Sequence, residues 1–224
     1  MSDTLTDVFQ SVGKGYGYDS VSAEATEFRE FKLKWKRSCG WIEFQISDYL
    51  KDAPPEVVKG LAEMIFSRLS GTRMDGYPKA MHDWTSSDEF VKSKQKIFLN
   101  RSKNLTRSAV GEHIDLNESY KRLVDMGLVT YDKDVVISWT KRPNVKSIGH
   151  ASVLMKVITI SSVLDSDKIP PFVCDFVVYH ELLHLKKGFD PFGERHGTDF
   201  RAMESLFPKA DEADQWLKKL RLVL

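Results

Sequence analysis

One short stretch of the chain has residue types and a spacing that suit metal chemistry, His180-Glu181-Leu182-Leu183-His184. On a helix, side chains four residues apart project from the same face, so both imidazoles can bind one metal ion. Glu181 lies about 100° around the helix from His180, where it suits a general base acting on a metal-activated water. The spacing therefore predicts a metal site with hydrolytic chemistry.

The helix that must carry this motif is apolar on nearly every side. Its apolar residues are Phe172, Val173, Phe176, Val177, Val178, Leu182, Leu183 and Leu185. Such a helix is usually buried, and burying two histidines and a glutamate is costly unless a partner compensates them. A metal ion is the simplest partner, and ordinary hydrogen bonds within the core are the alternative.

A catalytic zinc ion takes three protein ligands and leaves a fourth position open, so a third ligand is needed. Lys187-Gly188 predicts the end of the helix, and Asp190-Pro191-Phe192-Gly193 predicts a turn that brings the chain back. We expect His196 to be the third ligand of one zinc ion per chain, because zinc prefers nitrogen donors. Glu194 and Glu204 are the alternatives, and Glu204 could instead support a ligand from behind.

These residues resemble the SprT-like zinc metallopeptidases and the related WLM and minigluzincin groups of zincins. HELLH followed by the segment His-Gly-Thr-Asp-Phe at 196–200 is similar to the two motifs of that family. Upstream, residues 147–152, an apolar stretch at 157–160 and Pro170 follow the order of the family, although His150 stands where the family usually has cysteine. The resemblance covers about residues 136–207, and the N-terminal half matches only in outline.

The resemblance implies a small α+β zincin-like domain, with a mostly antiparallel sheet, an HExxH active-site helix and several additional helices. It also places residues Val157, Ile158, Thr159 and Ile160 in a strand at the sheet edge bordering the zinc. An edge strand has unpaired N–H and C=O groups, so we expect an extended or unfolded polypeptide substrate to pair there. His150, Tyr179 and Arg195 are candidates for stabilising the oxyanion.

Composition and patterning predict how the rest of the chain is organised. With 224 residues, 42% of them hydrophobic, the chain can bury the core of one ordinary domain. We expect a flexible arm over residues 1–20 and a single domain over 21–224, with a hairpin and helices at 21–135 and the zinc-binding core at 136–224. No internal repeat is expected.

Periodicity and capping signals predict the individual elements. Residues 28–37 and 41–46 are expected to form a hairpin, 72–85 an irregular segment, and 135–139 and 156–161 strands. Helices are expected at 56–69, 87–98, 117–126, 200–206 and 209–222.

Charge and cysteine content limit the partners. A net charge of +1 gives no global field towards nucleic acid or membrane, and the basic residues between Lys92 and Arg107 lack the interleaved aromatics of a stacking platform. Cys39 and Cys174 lie far apart in the sequence and predict free thiols. No apolar run is long enough for a signal peptide or membrane span, so a cytoplasmic protein without a membrane partner is expected.

A zinc-dependent peptidase is the leading functional hypothesis, with Glu181 as general base. A zinc-dependent phosphohydrolase acting on nucleotides is one alternative, although no glycine-rich loop is present to bind phosphate. A peptidase that acts on nucleic-acid-bound protein is another. A non-enzymatic zinc-folded module is a third, but a purely structural site has no use for Glu181.

Overall fold

A computed structural model describes residues 2–72, 78–190 and 194–223 of the chain. The described residues form eight α-helices and two three-stranded sheets, which confirms an α+β protein. Each sheet contains one parallel and one antiparallel pair, so the expected mostly antiparallel sheet is not found. The chain divides into an N-terminal unit, residues 1–94, and a C-terminal unit, residues 95–224, where the sequence predicted one domain after residue 20.

The N-terminal unit places one small sheet against two helices. Its elements are α1 (Ser2–Gly15), β1 (Ser20–Thr26), β2 (Leu33–Ser38), β3 (Trp41–Ser47), a 3₁₀ helix (Asp48–Leu50), α2 (Pro55–Leu69), α3 (Lys79–Thr85) and the start of α4 (Asp88–Arg101). The strand order is β1-β3-β2, with β1 parallel and β2 antiparallel to the central β3. Helix α3 lies in the segment expected to be irregular, of which residues 73–77 are outside the described residues.

The predicted flexible arm at residues 1–20 is wrong, because most of it is the packed helix α1. Leu5 and Phe9 are buried, and the Phe9 ring lies 5.0 Å from the Phe44 ring between centroids. Gly13 marks a close contact, since a Cβ there would lie 2.6 Å from a methyl of Val21 and 2.8 Å from the Phe66 ring. A glycine that suggested flexibility in the sequence therefore permits close packing.

The C-terminal unit contains the second sheet and the predicted active-site helix. Its elements after α4 are α5 (Leu116–Asp125), β4 (Val136–Trp139), β5 (Gly149–Ser152), β6 (Val157–Ile160), a 3₁₀ helix (Ser162–Leu164), α6 (Pro171–Lys187), α7 (Thr198–Glu204) and α8 (Ala210–Val223). The strand order is β4-β6-β5, with β4 parallel and β5 antiparallel to β6.

The predicted edge position of Val157–Ile160 is wrong, because β6 is the central strand and pairs on both sides. Its buried, nearly continuous apolar sequence is typical of a central strand. The outer side of β4 is covered, since Trp139 accepts a backbone hydrogen bond from Thr106 and donates one to Ser108. Within the β4-β6-β5 sheet, the strand with an open side among the described residues is therefore β5.

Local signals and one partly buried ion pair fix α6. The helix begins with proline at its first position and ends at Gly188, whose φ of +80° favours glycine. On its buried side Asp175 accepts from Nε and an Nη of Arg122 in α5, at 2.9 and 2.7 Å. This bidentate pair holds α5 against the back of α6, away from the motif. Asp115 caps α5, which begins at Leu116, one residue before the predicted start.

Candidate metal centre

Helix α6 and the segment just before α7 bring three histidines to one point. The Nε2 atoms of His180 and His184 are 3.2 Å apart, and Nε2 of His196 lies 3.1 Å from each of them. The two α6 histidines meet because they are one helical turn apart. His196 immediately precedes Gly197, the residue that caps α7. The three side chains are close enough to hold one metal ion.

The distances between the three imidazole nitrogens match the spacing of ligands around a tetrahedral metal ion. Three nitrogens at zinc-binding distance would stand roughly 3.3–3.4 Å apart, close to the spacing found here. Nδ1 of His180 lies 2.5 Å from a carboxylate oxygen of Glu204, to which it can donate. That hydrogen bond leaves the Nε2 lone pair of His180 pointing at the centre. Glu204 therefore lies behind His180 and outside the histidine cluster, where it would orient this imidazole towards a bound ion.

Phe200 lies against all three imidazoles. Its buried ring lies 5.1, 4.7 and 4.9 Å between centroids from the rings of His180, His184 and His196. Burial lowers the pKa of His184 to about 4, with help from the neighbouring His180 and His196, and burial also lowers the pKa of His196. Both side chains are therefore neutral near pH 7, which is the form that binds metal.

Glu181 is buried beside the histidines, with 5% of its surface exposed. Burial raises the pKa of its carboxyl group to about 7, although His180 and His150 partly oppose that rise. The carboxylate lies directly on the backbone of β5. A Cβ on Gly149 would stand 2.3 Å from Oε1 of Glu181 and 2.9 Å from its Cδ, so only glycine leaves room for this position.

Tyr179 does not face the centre, so the prediction that it stabilises an oxyanion is wrong. It is 1% exposed, and its hydroxyl donates to the carbonyl of Met203 at 2.6 Å. This hydrogen bond ties α6 to α7, which carries Glu204. The neighbouring position on a helix projects to a different side from the motif residues, which explains the misassignment.

An open cavity of about 450 Å³ lies in front of the histidines. His150 and Arg195 line it, as do Lys187 and Glu194. Of the three oxyanion candidates, His150 and Arg195 are thus the two that line this cavity. Glu194 lines the cavity but does not belong to the histidine cluster, which leaves His196 as its third member. In the predicted turn at 190–193, residues 191–193 lie outside the described residues.

Two contributors to the site were not singled out from the sequence. The sequence identifies Phe200 only as the last residue of the His-Gly-Thr-Asp-Phe segment. A single sequence does not indicate that this ring packs on three imidazoles. Gly149 could have been noticed as a glycine within a short strand, a position that often marks close approach by another group. The thiols of Cys39 and Cys174 are free, as expected, and burial raises the pKa of Cys174 to about 12.

Comparisons with family models, with curated proteins and with solved structures give no match to this chain. The SprT-like resemblance therefore rests on the motif residues themselves. No described helix has both the length and the apolar character needed to cross a membrane.

Proposed function

We propose that the chain is a zinc-dependent peptidase with a zincin-like C-terminal unit. The observation that carries the proposal is the convergence of three histidine Nε2 atoms within 3.2 Å of one another, with a buried glutamate adjacent to the first of them in sequence. His180, His184 and His196 would hold the ion. Zinc, when bound, lowers the pKa of a water molecule and polarises a carbonyl group.

Glu181 has the environment of a general base. A pKa of about 7 lets a carboxylate take a proton from water and later release it to a leaving amine at neutral pH. Among the described residues, no hydrogen-bond donor contacts its oxygens, so they remain able to accept from water. His150 and Arg195 in the cavity wall would donate N–H groups to the oxyanion as the carbonyl is attacked.

Strand β5 takes the place of β6 as the proposed substrate strand. Ser161 donates its N–H to the carbonyl of Ile148 at 2.7 Å, which fixes the alternation of the β5–β6 ladder. Gly149 and Ala151 consequently direct their N–H and C=O groups away from β6. An extended peptide could pair with these groups, and main-chain pairing favours unfolded substrates of varied sequence.

One feature of the cavity favours the nucleotide alternative. Lys187 and Arg195 are phosphate-binding types of side chain in the cavity wall, although Glu194 and Asp190 oppose a phosphate there. Action on nucleic-acid-bound protein has less support. The basic segment that suggested it contains Lys94, which is buried and paired with Asp52.

The test combines zinc analysis with turnover of a denatured, reduced test protein and of a nucleoside triphosphate. We expect the wild-type protein to cleave the polypeptide, and Glu181→Gln to retain zinc while kcat falls about 10²- to 10⁴-fold. Glu118→Gln, an exposed glutamate of α5, is the matched control and should retain full turnover. Triphosphate hydrolysis without cleavage would support the phosphohydrolase instead, and zinc binding without either activity would indicate a structural site.

A further inference from the structure

The two units follow the same chain path. In each, a helix precedes three strands, the third strand is central, the first is parallel to it and the second is antiparallel to it. In each, a 3₁₀ helix follows the third strand, and the next helix begins with a pair of prolines. The order of elements and the strand directions therefore repeat from α1–α2 to α5–α6.

A short sequence pattern repeats at the same place. Residues 46–50 read Ile-Ser-Asp-Tyr-Leu, and residues 160–164 read Ile-Ser-Ser-Val-Leu. Both segments are followed by Pro-Pro-x-Val, at 54–57 and at 170–173. The shared isoleucine, serine, leucine and valine are buried in both copies. Matching residues in matching elements indicate one core built twice.

The N-terminal copy lacks the residues of the metal-binding motif. Counted from the paired prolines, α2 has Met64, Ile65 and Arg68 where α6 has the two histidines and the glutamate. Methionine, isoleucine and arginine cannot form a zinc site. The strand that corresponds to β5, however, is still present as β2, and it also lies at the edge of its sheet.

The outer side of β2 is open in the same way as that of β5. Ser47 donates its N–H to the carbonyl of Lys32 at 3.0 Å, so the backbone groups of Leu33, Trp35 and Arg37 point away from β3. No backbone hydrogen bond within the described part of the chain uses these outward groups. Aligned on the repeated Ile-Ser, Leu33 and Trp35 correspond to the outward-facing residues of β5.

The side chains of β2 indicate what would pair with it. Residues 32–38 read Lys-Leu-Lys-Trp-Lys-Arg-Ser, with four cations and no acidic residue. Lysines commonly protect an edge strand from association, but a tryptophan that is 50% exposed works against such protection. Lys34 and Lys36 face one side of the strand and Trp35 the other. An added strand with alternating acidic and apolar residues would match both sides.

We propose that the N-terminal unit is a metal-free second copy of the core that binds an extended acidic segment along β2. The inference rests on the proposed function in so far as that segment belongs to the polypeptide substrate. Nucleic acid fits the surface less well, because exposed Glu43 pairs across from Lys36, and Glu24 is exposed on the same face. Those carboxylates would repel phosphates on the face but not a strand paired at the edge.

The test measures binding of a fluorescein-labelled peptide of alternating Glu and Val to full-length Glu181→Gln protein, in which cleavage is suppressed. We expect Lys34→Glu/Lys36→Glu, and separately Trp35→Pro, to weaken binding at least about ten-fold. Proline at 35 removes an outward N–H and keeps the ladder to β3. Lys51→Glu, an exposed lysine outside the strand, is the control and should bind normally. Melting temperatures establish that each variant is folded.

Cleavage assays distinguish peptide binding at β2 from the proposed peptidase activity. In the background with Glu181 intact, Trp35→Pro should cleave a short neutral peptide as wild type does, whereas Ala151→Pro in β5 should lower that cleavage. Unchanged peptide affinity in the folded double lysine variant would overturn the inference. The inference would also be overturned if the protein bound a single-stranded oligonucleotide in place of the peptide and the same variants lost that binding. Peptide binding at β2 remains measurable even if the protein cleaves nothing, so the two proposals can fail separately.

Discussion

Helices α2 and α6 occupy the same place in two copies of one chain path, yet of these two helices it is α6 that contributes histidines to a cluster able to hold a metal ion among the described residues. Both begin with paired prolines, and both bury apolar residues against their own sheet and an adjacent helix. Their differences include the three motif positions, where α6 has His180, Glu181 and His184 and α2 has Met64, Ile65 and Arg68. The scaffold is therefore separable from the chemistry, because a core of this form exists in the N-terminal unit without these polar residues.

The strands beside these helices also differ, at the position that lies against Glu181 in the C-terminal copy. Gly149 of β5 leaves space that the carboxylate of Glu181 fills. The aligned residue of β2 is Leu33, and the helix position aligned with Glu181 is Ile65. The N-terminal copy thus has neither the glutamate nor the glycine. We expect Gly149 and Glu181 to act as one steric unit.

The largest expected effect comes from converting one helix into the other. His180→Met, Glu181→Ile and His184→Arg combined should abolish stoichiometric zinc binding and all zinc-dependent turnover, because two of three ligands are removed. The reverse set in α2, Met64→His, Ile65→Glu and Arg68→His, should gain no comparable zinc affinity, because the next histidine along the chain, His82, is an exposed residue of α3 that lies 3.4 Å from a carboxylate oxygen of Asp83. Metal analysis and zinc titration of both proteins check this. Retained zinc in the first variant would place the site elsewhere.

A smaller effect is expected from Gly149→Ala. The new methyl group collides with Glu181, so kcat should fall about 10- to 100-fold while zinc content is kept. Overpacking should also lower the melting temperature of the metal-free protein by roughly 2–10 °C. Gly197→Ala is the control, because a Cβ there meets nothing closer than 3.6 Å.

Rescue distinguishes this steric coupling from general damage. Adding Glu181→Ala to Gly149→Ala removes the carboxylate that collides, so much of the lost melting temperature should return. If the double variant is as unstable as the sum of the single variants, Gly149 does not act through Glu181.

Much of this arrangement follows from sequence patterns, and the rest depends on packing that one sequence does not encode locally. The i, i+4 spacing predicted the pair His180 and His184, and the helix-ending Gly188 predicted the loop that brings in His196. The apolar run at 157–160 was assigned as a strand, but its place within the sheet depends on which neighbours pair with it. Helix α1 was missed because polar residues and glycines conceal the spacing of Leu5 and Phe9.

The internal repeat was also missed, for a different physical reason. Only the positions that end the third strand and begin the next helix keep the same residues, and the spacing between them differs in the two copies. Buried positions tolerate exchange among apolar residues of similar volume, so two cores with the same order of elements can have different residues in their strands and helices. The repeat becomes apparent when strand directions are compared.

The smallest expected effect concerns the residue after each 3₁₀ helix, Asp165 in one copy and Lys51 in the other. Burial acts to raise the pKa of Asp165, but the backbone N–H groups of Glu112, His113 and Ile114 bind its carboxylate at 2.7–3.0 Å and lower the pKa below its usual value. A carboxyl group whose pKa is lower in the folded state stabilises the fold above its unfolded pKa. That contribution disappears as pH falls through the folded pKa.

Asp165→Asn should therefore lower the free energy of unfolding by about 1–2 kcal/mol at pH 7, since charge-assisted hydrogen bonds are lost. The difference from wild type should shrink as the pH is lowered from about 5 towards 2, below the usual carboxyl range. Thermal unfolding across this range checks both statements, with Asp167→Asn as the exposed control. A difference that stays constant with pH would mean that the shape of the side chain, and not its charge, holds residues 112–114. The N-terminal copy has lysine at this position, so its 3₁₀ helix must be held without such a carboxylate, and Lys51→Ala should leave the pH dependence of unfolding as it is in wild type.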